Sequence, residues 1–239
     1  MIGKIEGIHH ANSTKENELF VYPITVAEAV KMPNGEMLSN FSLSSSNSKY
    51  KDKIIYCFGD SITRCGYPDY IRDILGAKVY NFGINGYKVH QVYNLAIEKN
   101  FDEVSAVTIM IGFNSAPPSD LTLENSGILT EDNPTNYPDN YIGWLAKTIE
   151  YIQSKNLKCR IYLCSTHMPR GHSNITKEPE YNRCMKEVAK YYSLPFIDVF
   201  NECGICQKNK ELTLADAIHP NEIGTELIGT YIAYQMLAK

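Results

Sequence analysis

The sequence has 239 residues, enough for one large domain that buries a full hydrophobic core without disulfides or metals. Hydrophobic residues make up 44% of the chain and charged residues 21%, which excludes a disordered or fibrous protein. The formal net charge is -4, so no basic excess exists to neutralise a phosphate backbone, and we expect no nucleic-acid partner. No apolar run approaches the roughly 18 residues of a transmembrane helix, so no membrane span is expected.

The N-terminus and the cysteines bear on the compartment. The first residues lack the apolar stretch and the small-residue cleavage site of a secretory signal. Seven cysteines are an odd number, which disfavours a closed disulfide framework and fits reduced thiols. These features together predict a cytoplasmic protein.

Composition divides the chain into two parts. Residues 1–50 are of mixed composition and end in a Ser-rich stretch, 42–48, of the kind found in flexible linkers. Within this part, residues 20–37 contain β-formers on both sides of turn residues and predict short strands. We therefore expect an N-terminal appendage over 1–50 and a single α/β domain over 51–239.

From residue 53 onward, short apolar runs alternate with helical patterns. The predicted strands are 54–58, 78–82, 104–111, 159–165 and 194–199. The predicted helices are 66–76, 87–99, 138–155, 177–192 and 221–237. This alternation predicts a five-stranded parallel sheet with helices on both faces, a three-layer α/β/α sandwich.

Ligand sites in such sheets lie at the carboxyl ends of the strands. Ser61 follows the first strand in Gly-Asp-Ser, Gly83 follows the second, and Asn114 follows the third in Gly-Phe-Asn. Asp216 and His219 stand in Asp-Ala-Ile-His-Pro, just before the last helix. A carboxylate three residues before a histidine can accept a hydrogen bond from Nδ1, which leaves Nε2 free as a base.

These four blocks resemble the SGNH hydrolases, also called the GDSL-type esterase family, over about residues 53–238. The resemblance implies a flavodoxin-like fold and a Ser-His-Asp triad of Ser61, His219 and Asp216. It also implies an oxyanion hole formed by the N–H groups of Ser61 and Gly83 and the Asn114 side chain. The implied substrates are carboxylic esters, including short acyl esters and acetyl groups on carbohydrates, and no metal or organic cofactor is needed.

The third block departs from the family pattern, because Ser115 stands where many members have Asp. Asp60 is interpreted as a structural residue that braces the nucleophile turn. The Asp-, Pro- and Asn-rich stretch 115–140 follows Asn114 directly and is a candidate lid or specificity loop. His167 and His172 flank a loop after the fourth strand and are candidates for lining the pocket.

Two other interpretations remain open at this point. Residues 17–40 resemble short segments near the N-termini of phage-tail-associated proteins, which implies a virion-associated chain that assembles into a homo-oligomer through this segment. On that view the domain is a non-catalytic or weakly catalytic carbohydrate-binding component of a phage tail on the same scaffold. Separately, Cys203 and Cys206 form a Cys-x-x-Cys without a second pair at zinc spacing, so we expect no metal or redox role for them.

Overall fold

The computed structural model describes residues 48–169 and 179–239. The predicted strands in 20–37, nearly all of the Ser-rich linker, the phage-tail-like segment and His172 lie outside these residues. Within the described part, five strands alternate with eight α-helices along the chain. No helix in these two ranges is long and apolar enough to cross a membrane.

The element bounds follow the predicted alternation. The strands are β1 (Ile54–Gly59), β2 (Lys78–Gly83), β3 (Val104–Met110), β4 (Arg160–Cys164) and β5 (Phe196–Ile197). The helices are α1 (Ser61–Arg64), α2 (Tyr67–Leu75), α3 (Val89–Ala96), α4 (Tyr141–Lys155), α5 (Glu180–Tyr191), α6 (Val199–Glu202), α7 (Lys210–Thr213) and α8 (Glu222–Ala238).

All five strands are parallel, and their order is β2-β1-β3-β4-β5. This is the flavodoxin-like order, and it confirms the predicted three-layer fold. Side chains alternate across the sheet, so Val107 and Ile109 of β3 join the core under α3, α4 and α5. Ala106 and Met110 of the same strand join the opposite core, under α2 and α8. Because both faces are covered, the central strands β1 and β3 are largely buried and mainly apolar, whereas the edge strand β2 is largely exposed.

The C-terminal strand is shorter than predicted. Only Phe196 and Ile197 pair with β4, although the apolar run spans 194–199. Pro195 has no N–H to donate to a ladder, although its carbonyl accepts from the N–H of Leu163. Asp198 instead accepts the N–H of Asn201 and caps α6, which ends the strand.

The core includes a residue that the composition assigns to the N-terminal appendage. Tyr50 is 5% exposed and belongs to the core beneath α2 and α8. Its hydroxyl lies 2.5 Å from the hydroxyl of Tyr162 in β4, and both groups are buried. The α/β domain therefore includes Tyr50, which the division at residue 50 places in the appendage.

Candidate active site

The predicted nucleophile, Ser61, is the first residue of α1, and only Asp60 separates it from the end of β1. Asp60 caps this helix, because its Oδ1 accepts the N–H of Ile62 at 3.0 Å. Asp60 is fully buried, and desolvation raises the pKa of its carboxyl to about 6, against the lowering effect of nearby backbone N–H groups. Its observed contact agrees with a bracing role for Asp60 at the nucleophile turn.

Two glycines allow α1 to lie directly on the ends of the strands. Gly59 of β1 and Gly83 of β2 are partners in the parallel register. A Cβ on Gly59 would stand 2.0 Å from the Thr63 hydroxyl, and one on Gly83 would stand 2.2 Å from the Arg64 backbone nitrogen. Any side chain at either position would therefore push α1, and Ser61 with it, away from the sheet.

The predicted base and its carboxylate lie at the tip of a tight turn between α7 and α8. Leu214 and Pro220 form an isolated antiparallel bridge, and the N–H of Ala215 donates to the carbonyl of His219 at 2.9 Å. Pro220 therefore lies outside the last helix, in agreement with the predicted helix over 221–237. Helix α8 begins at Glu222 and is capped by the side chain of Asn221.

The fold brings the three predicted triad residues together. The Nε2 atom of His219 lies 3.0 Å from the Oγ of Ser61. On the other side of the ring, Nδ1 lies 2.8 Å from Oδ2 of Asp216. With the proton on Nδ1, Nε2 carries the lone pair that faces the serine hydroxyl, which is the arrangement of a general base next to a nucleophile.

Asp216 is fixed by its own turn. Its Oδ1 accepts the backbone N–H groups of Ile218 and His219, each at 2.7 Å. These backbone hydrogen bonds, followed by the bond from the His219 ring, hold the pKa of the carboxyl well below its ordinary value. The carboxylate therefore remains charged at neutral pH and can stabilise an imidazolium.

The third block, at Asn114, supplies a side-chain amide next to the second block, which begins at Gly83. Nδ2 of Asn114 donates to the carbonyl of Tyr87 at 3.3 Å, which uses one of its two N–H groups and leaves the other for a ligand. The neighbouring Ser115 accepts the N–H of Val89, the first residue of α3, at 2.9 Å. The departure from Asp at position 115 thus retains a side-chain oxygen that ties the two blocks together.

The second block differs from the sequence-based assignment. The N–H of Gly83, expected to face an oxyanion, donates to Oδ1 of Asn81 at 2.9 Å. Three residues later, Gly86 is exposed and has a φ of +75°. Its N–H has no hydrogen-bond partner among residues 48–169 and 179–239. Gly86 also directly precedes Tyr87, whose carbonyl contacts Asn114.

His167 and the 115–140 segment also differ from expectation. His167 is fully buried, so it does not line an open pocket; sequence position alone gave no signal of its burial. The 115–140 segment is fixed to α5, because Arg183 donates to the carbonyl of Leu121 at 2.6 Å and Glu187 accepts the N–H of Leu123 at 2.9 Å. These contacts are those of a docked connection between β3 and α4.

A cleft of about 540 Å³ lies between α2 and the start of α8, and its lining includes none of the three triad residues. Its walls include Cys65, four residues after Ser61, and Pro220, next to His219. Most of the remaining wall consists of hydrogen-bonding side chains, namely Asp69, Tyr70, Asp73, Asn221, Glu222 and Thr225. The two cysteines of the Cys-x-x-Cys do not line this cleft. Cys203 is buried and Cys206 is half-buried, and both are free thiols.

Residues 57–227 match the model of the GDSL-like lipase/acylhydrolase family. This span contains all four blocks and more than half of the chain. No protein of curated function shows significant similarity to the sequence.

Similar solved structures share this fold at low identity. A protein from Parabacteroides merdae described as a GDSL-like lipase is 20% identical, with a TM-score of 0.60, over 81% of this chain and 99% of that one. A lipase/acylhydrolase from Enterococcus faecalis is 21% identical, with a TM-score of 0.56, over 78% and 96%. A possible lipase from Chitinophaga pinensis is 16% identical, with a TM-score of 0.60, over 76% and 96%.

Proposed function

The chain belongs to the GDSL-like lipase/acylhydrolase family and hydrolyses ester bonds, and we propose that it does so as a serine esterase with a triad of Ser61, His219 and Asp216. The observation that carries this proposal is the pair of contacts made by His219, 3.0 Å to Ser61 and 2.8 Å to Asp216. These contacts join a nucleophile, a base and an orienting carboxylate in one continuous hydrogen-bonded chain.

The reaction proceeds in two halves. His219 takes the Ser61 proton while Oγ attacks the ester carbonyl, and the protonated imidazole then gives that proton to the leaving alcohol. Water next attacks the acyl-enzyme with His219 again as base, which releases the acid and restores the serine. Asp216 holds the imidazole tautomer and stabilises the positive charge that forms in each half.

The oxyanion of each tetrahedral intermediate accepts hydrogen bonds from the Ser61 N–H and the Asn114 side chain. We assign the third donor to Gly86 in place of Gly83, because the Gly83 N–H is already bonded to Asn81 whereas Gly86 lies next to the Asn114 contact. A crystal structure of a fluorophosphonate adduct tests this assignment. The phosphonyl oxygen should lie within hydrogen-bond distance of the Gly86 nitrogen, and a contact to the Gly83 nitrogen instead would refute it.

For the substrate we propose small acyl groups, in particular acetyl groups on a carbohydrate. The cleft between α2 and α8 reaches Pro220, the neighbour of His219, and its polar side chains suit the hydroxyl groups of a sugar better than a long acyl chain. A panel of p-nitrophenyl esters of increasing chain length and of acetylated sugars tests the class.

Tyr70 provides the matched variant for this test. Tyr70→Phe removes a hydroxyl from the cleft wall and should raise KM for an acetylated sugar without changing kcat/KM for p-nitrophenyl acetate. Equal effects on both esters would show that the cleft does not bind the sugar. A preference for octanoate over acetate would overturn the small-acyl proposal.

The triad itself is tested with p-nitrophenyl acetate. Ser61→Ala and His219→Ala should each lower kcat by about 10³-fold or more, because triad members act as a unit. A fluorophosphonate probe should label Ser61. Undiminished turnover in Ser61→Ala would refute the assignment, and no turnover in the unsubstituted protein would favour the carbohydrate-binding alternative.

A further inference from the structure

His167 is a buried ionisable side chain that the proposed reaction does not use. It follows β4 and is fully buried, with Nε2 2.8 Å from the carbonyl oxygen of Ile218. A carbonyl only accepts, so Nε2 must carry the proton and donate it. Desolvation, together with the nearby His219, lowers the pKa of His167 to about 4, so the ring is neutral at neutral pH.

The acceptor of this hydrogen bond belongs to the triad loop. The Ile218 carbonyl and the His219 N–H are the two ends of one peptide group. That N–H donates to Oδ1 of Asp216 at 2.7 Å, and Oδ2 of Asp216 contacts the His219 ring at 2.8 Å. A continuous chain of hydrogen bonds therefore runs from His167 through the peptide group to the carboxylate and the base, and each bond polarises the next.

We propose that His167 is a positioning residue of the esterase reaction, whose N–H fixes the 218–219 peptide group so that Asp216 aligns His219 with Ser61. The inference rests on the proposed function of that triad. Asp216 and His219 need such an anchor because their side chains are 57% and 39% exposed, so water competes for their mutual contact. The His167 ring, at the far end of this series of hydrogen bonds, is fully buried.

The same ring also packs beneath the third block. The Phe113 ring lies 5.5 Å from the His167 ring, and Phe113 directly precedes the oxyanion residue Asn114. The second ring nitrogen, Nδ1, is buried with no hydrogen-bond partner among the described residues. The directional contact of His167 is thus made by Nε2 alone, which predicts that a different side chain with a donor at that point can replace it.

Glutamine and asparagine provide matched replacements. The amide nitrogen of Gln extends about as far from Cα as the histidine Nε2, whereas that of Asn reaches only about as far as Nδ1. His167→Gln should keep kcat for p-nitrophenyl acetate within about fivefold of the unsubstituted protein. His167→Asn should lower kcat roughly 10- to 100-fold, the effect of a small misplacement of catalytic groups, and leave KM within twofold.

The rate of Ser61 labelling by a fluorophosphonate should fall in parallel with kcat. Tyr162→Phe is the stability control. It removes a buried hydroxyl of β4, the strand that precedes His167, and this hydroxyl contacts Tyr50 and the Met236 carbonyl. It should lower Tm and leave kcat unchanged. Equal kcat in His167→Gln and His167→Asn, or a kcat that merely follows Tm across all three variants, would overturn the proposal.

The tautomer can be measured without any variant. In ¹⁵N-histidine-labelled protein, NMR should show His167 protonated on Nε2 and neutral from about pH 5.5 to 8. An Nδ1–H tautomer would overturn the proposal even where His167→Asn does not fold. The two proposals can fail separately. Full activity in Ser61→Ala would refute the triad, whereas a negative result for the His167 variants would refute only the positioning role of His167.

Discussion

Asp60 and His167 are fully buried, and burial moves their pKa values in opposite directions, to about 6 and about 4. The raised pKa of Asp60 means that its stabilising contribution is present below pH 4 and is lost as pH rises through 6. The lowered pKa of His167 means that its contribution is present above about pH 6.5 and is lost as pH falls towards 4. The two contributions oppose each other within the same pH window.

Single substitutions should reveal these opposed slopes in the free energy of unfolding between pH 4 and 6.5. In the unsubstituted protein, the contribution of Asp60 to the free energy of unfolding falls as pH rises. Asp60→Asn removes this contribution, so the free energy of unfolding of the variant should rise more steeply with pH. His167→Gln should change the slope in the opposite direction. Each pKa shift corresponds to about 3 kcal/mol over the window. Urea unfolding at pH 4, 5, 6 and 7 measures both slopes, and slopes that change in the same direction would contradict these pKa values.

Asn114 and Ser115 are neighbours with separate predicted effects. Asn114→Ala removes an oxyanion donor, so kcat should fall about 100-fold or more with little change in KM. Ser115→Ala leaves the buried N–H of Val89 without its acceptor, which should cost about 1–3 kcal/mol of unfolding free energy. Steady-state kinetics and urea unfolding of both variants check the pair. A rise in KM alone for Asn114→Ala would place this side chain in substrate binding.

At the scale of elements, the connection between β3 and α4 depends on Arg183 of α5. This guanidinium bonds Glu180, Glu187 and the carbonyl of Leu121, and is about one third exposed. A half-buried charged contact of this kind is worth more than a surface ion pair, because without Arg183 the Leu121 carbonyl keeps only the weak thiol donor of Cys184. The 115–140 segment should therefore detach when this side chain is removed.

Arg183→Ala should accelerate limited proteolysis within 115–140 and lower the unfolding free energy by about 1–3 kcal/mol. Arg72→Ala is the control, since Arg72 also bonds two carboxylates, Asp69 and Asp73, but on the exposed surface of α2. That variant should change stability by less than about 1 kcal/mol and leave the proteolysis pattern unchanged. Equal proteolysis of both variants would show that Arg183 does not hold the segment.

At the scale of the whole molecule, the burial of Tyr50 in the core of the α/β domain predicts which truncations are tolerated. A chain that begins at Ser48 keeps Tyr50 in the core and should retain kcat for p-nitrophenyl acetate. A chain that begins at Lys51 loses this buried aromatic ring, which should cost about 3–5 kcal/mol by the usual measure of large-to-small core changes. Thermal unfolding and kinetics of both chains check the boundary; equal Tm values would contradict it.

The same truncation tests whether residues 1–47 serve assembly. If they join copies of the chain, light scattering should show a smaller oligomer for the chain that begins at Ser48, with kcat unchanged. An unchanged oligomeric state would remove the assembly hypothesis. Loss of activity at Ser48 would instead place part of that segment within the hydrolase domain.

The sequence by itself determined the parallel α/β fold and the position of each block. Short apolar runs alternating with amphipathic patterns allow little else, and the ends of parallel strands necessarily meet at one edge of the sheet. For that reason Ser61 and Asn114 were predicted at the same edge. The helix entry at Ser61 and the spacing of Asp216 and His219 are local features, so they too could be identified from the sequence.

Only the tertiary structure decided which polar groups are free and which are occupied. Whether the N–H of Gly83 is available depends on the Asn81 rotamer, and the role of His167 depends on a contact with Ile218 from a distant part of the chain. Local residue patterns carry no information about such long-range contacts, because they are set by how the packed elements orient individual atoms.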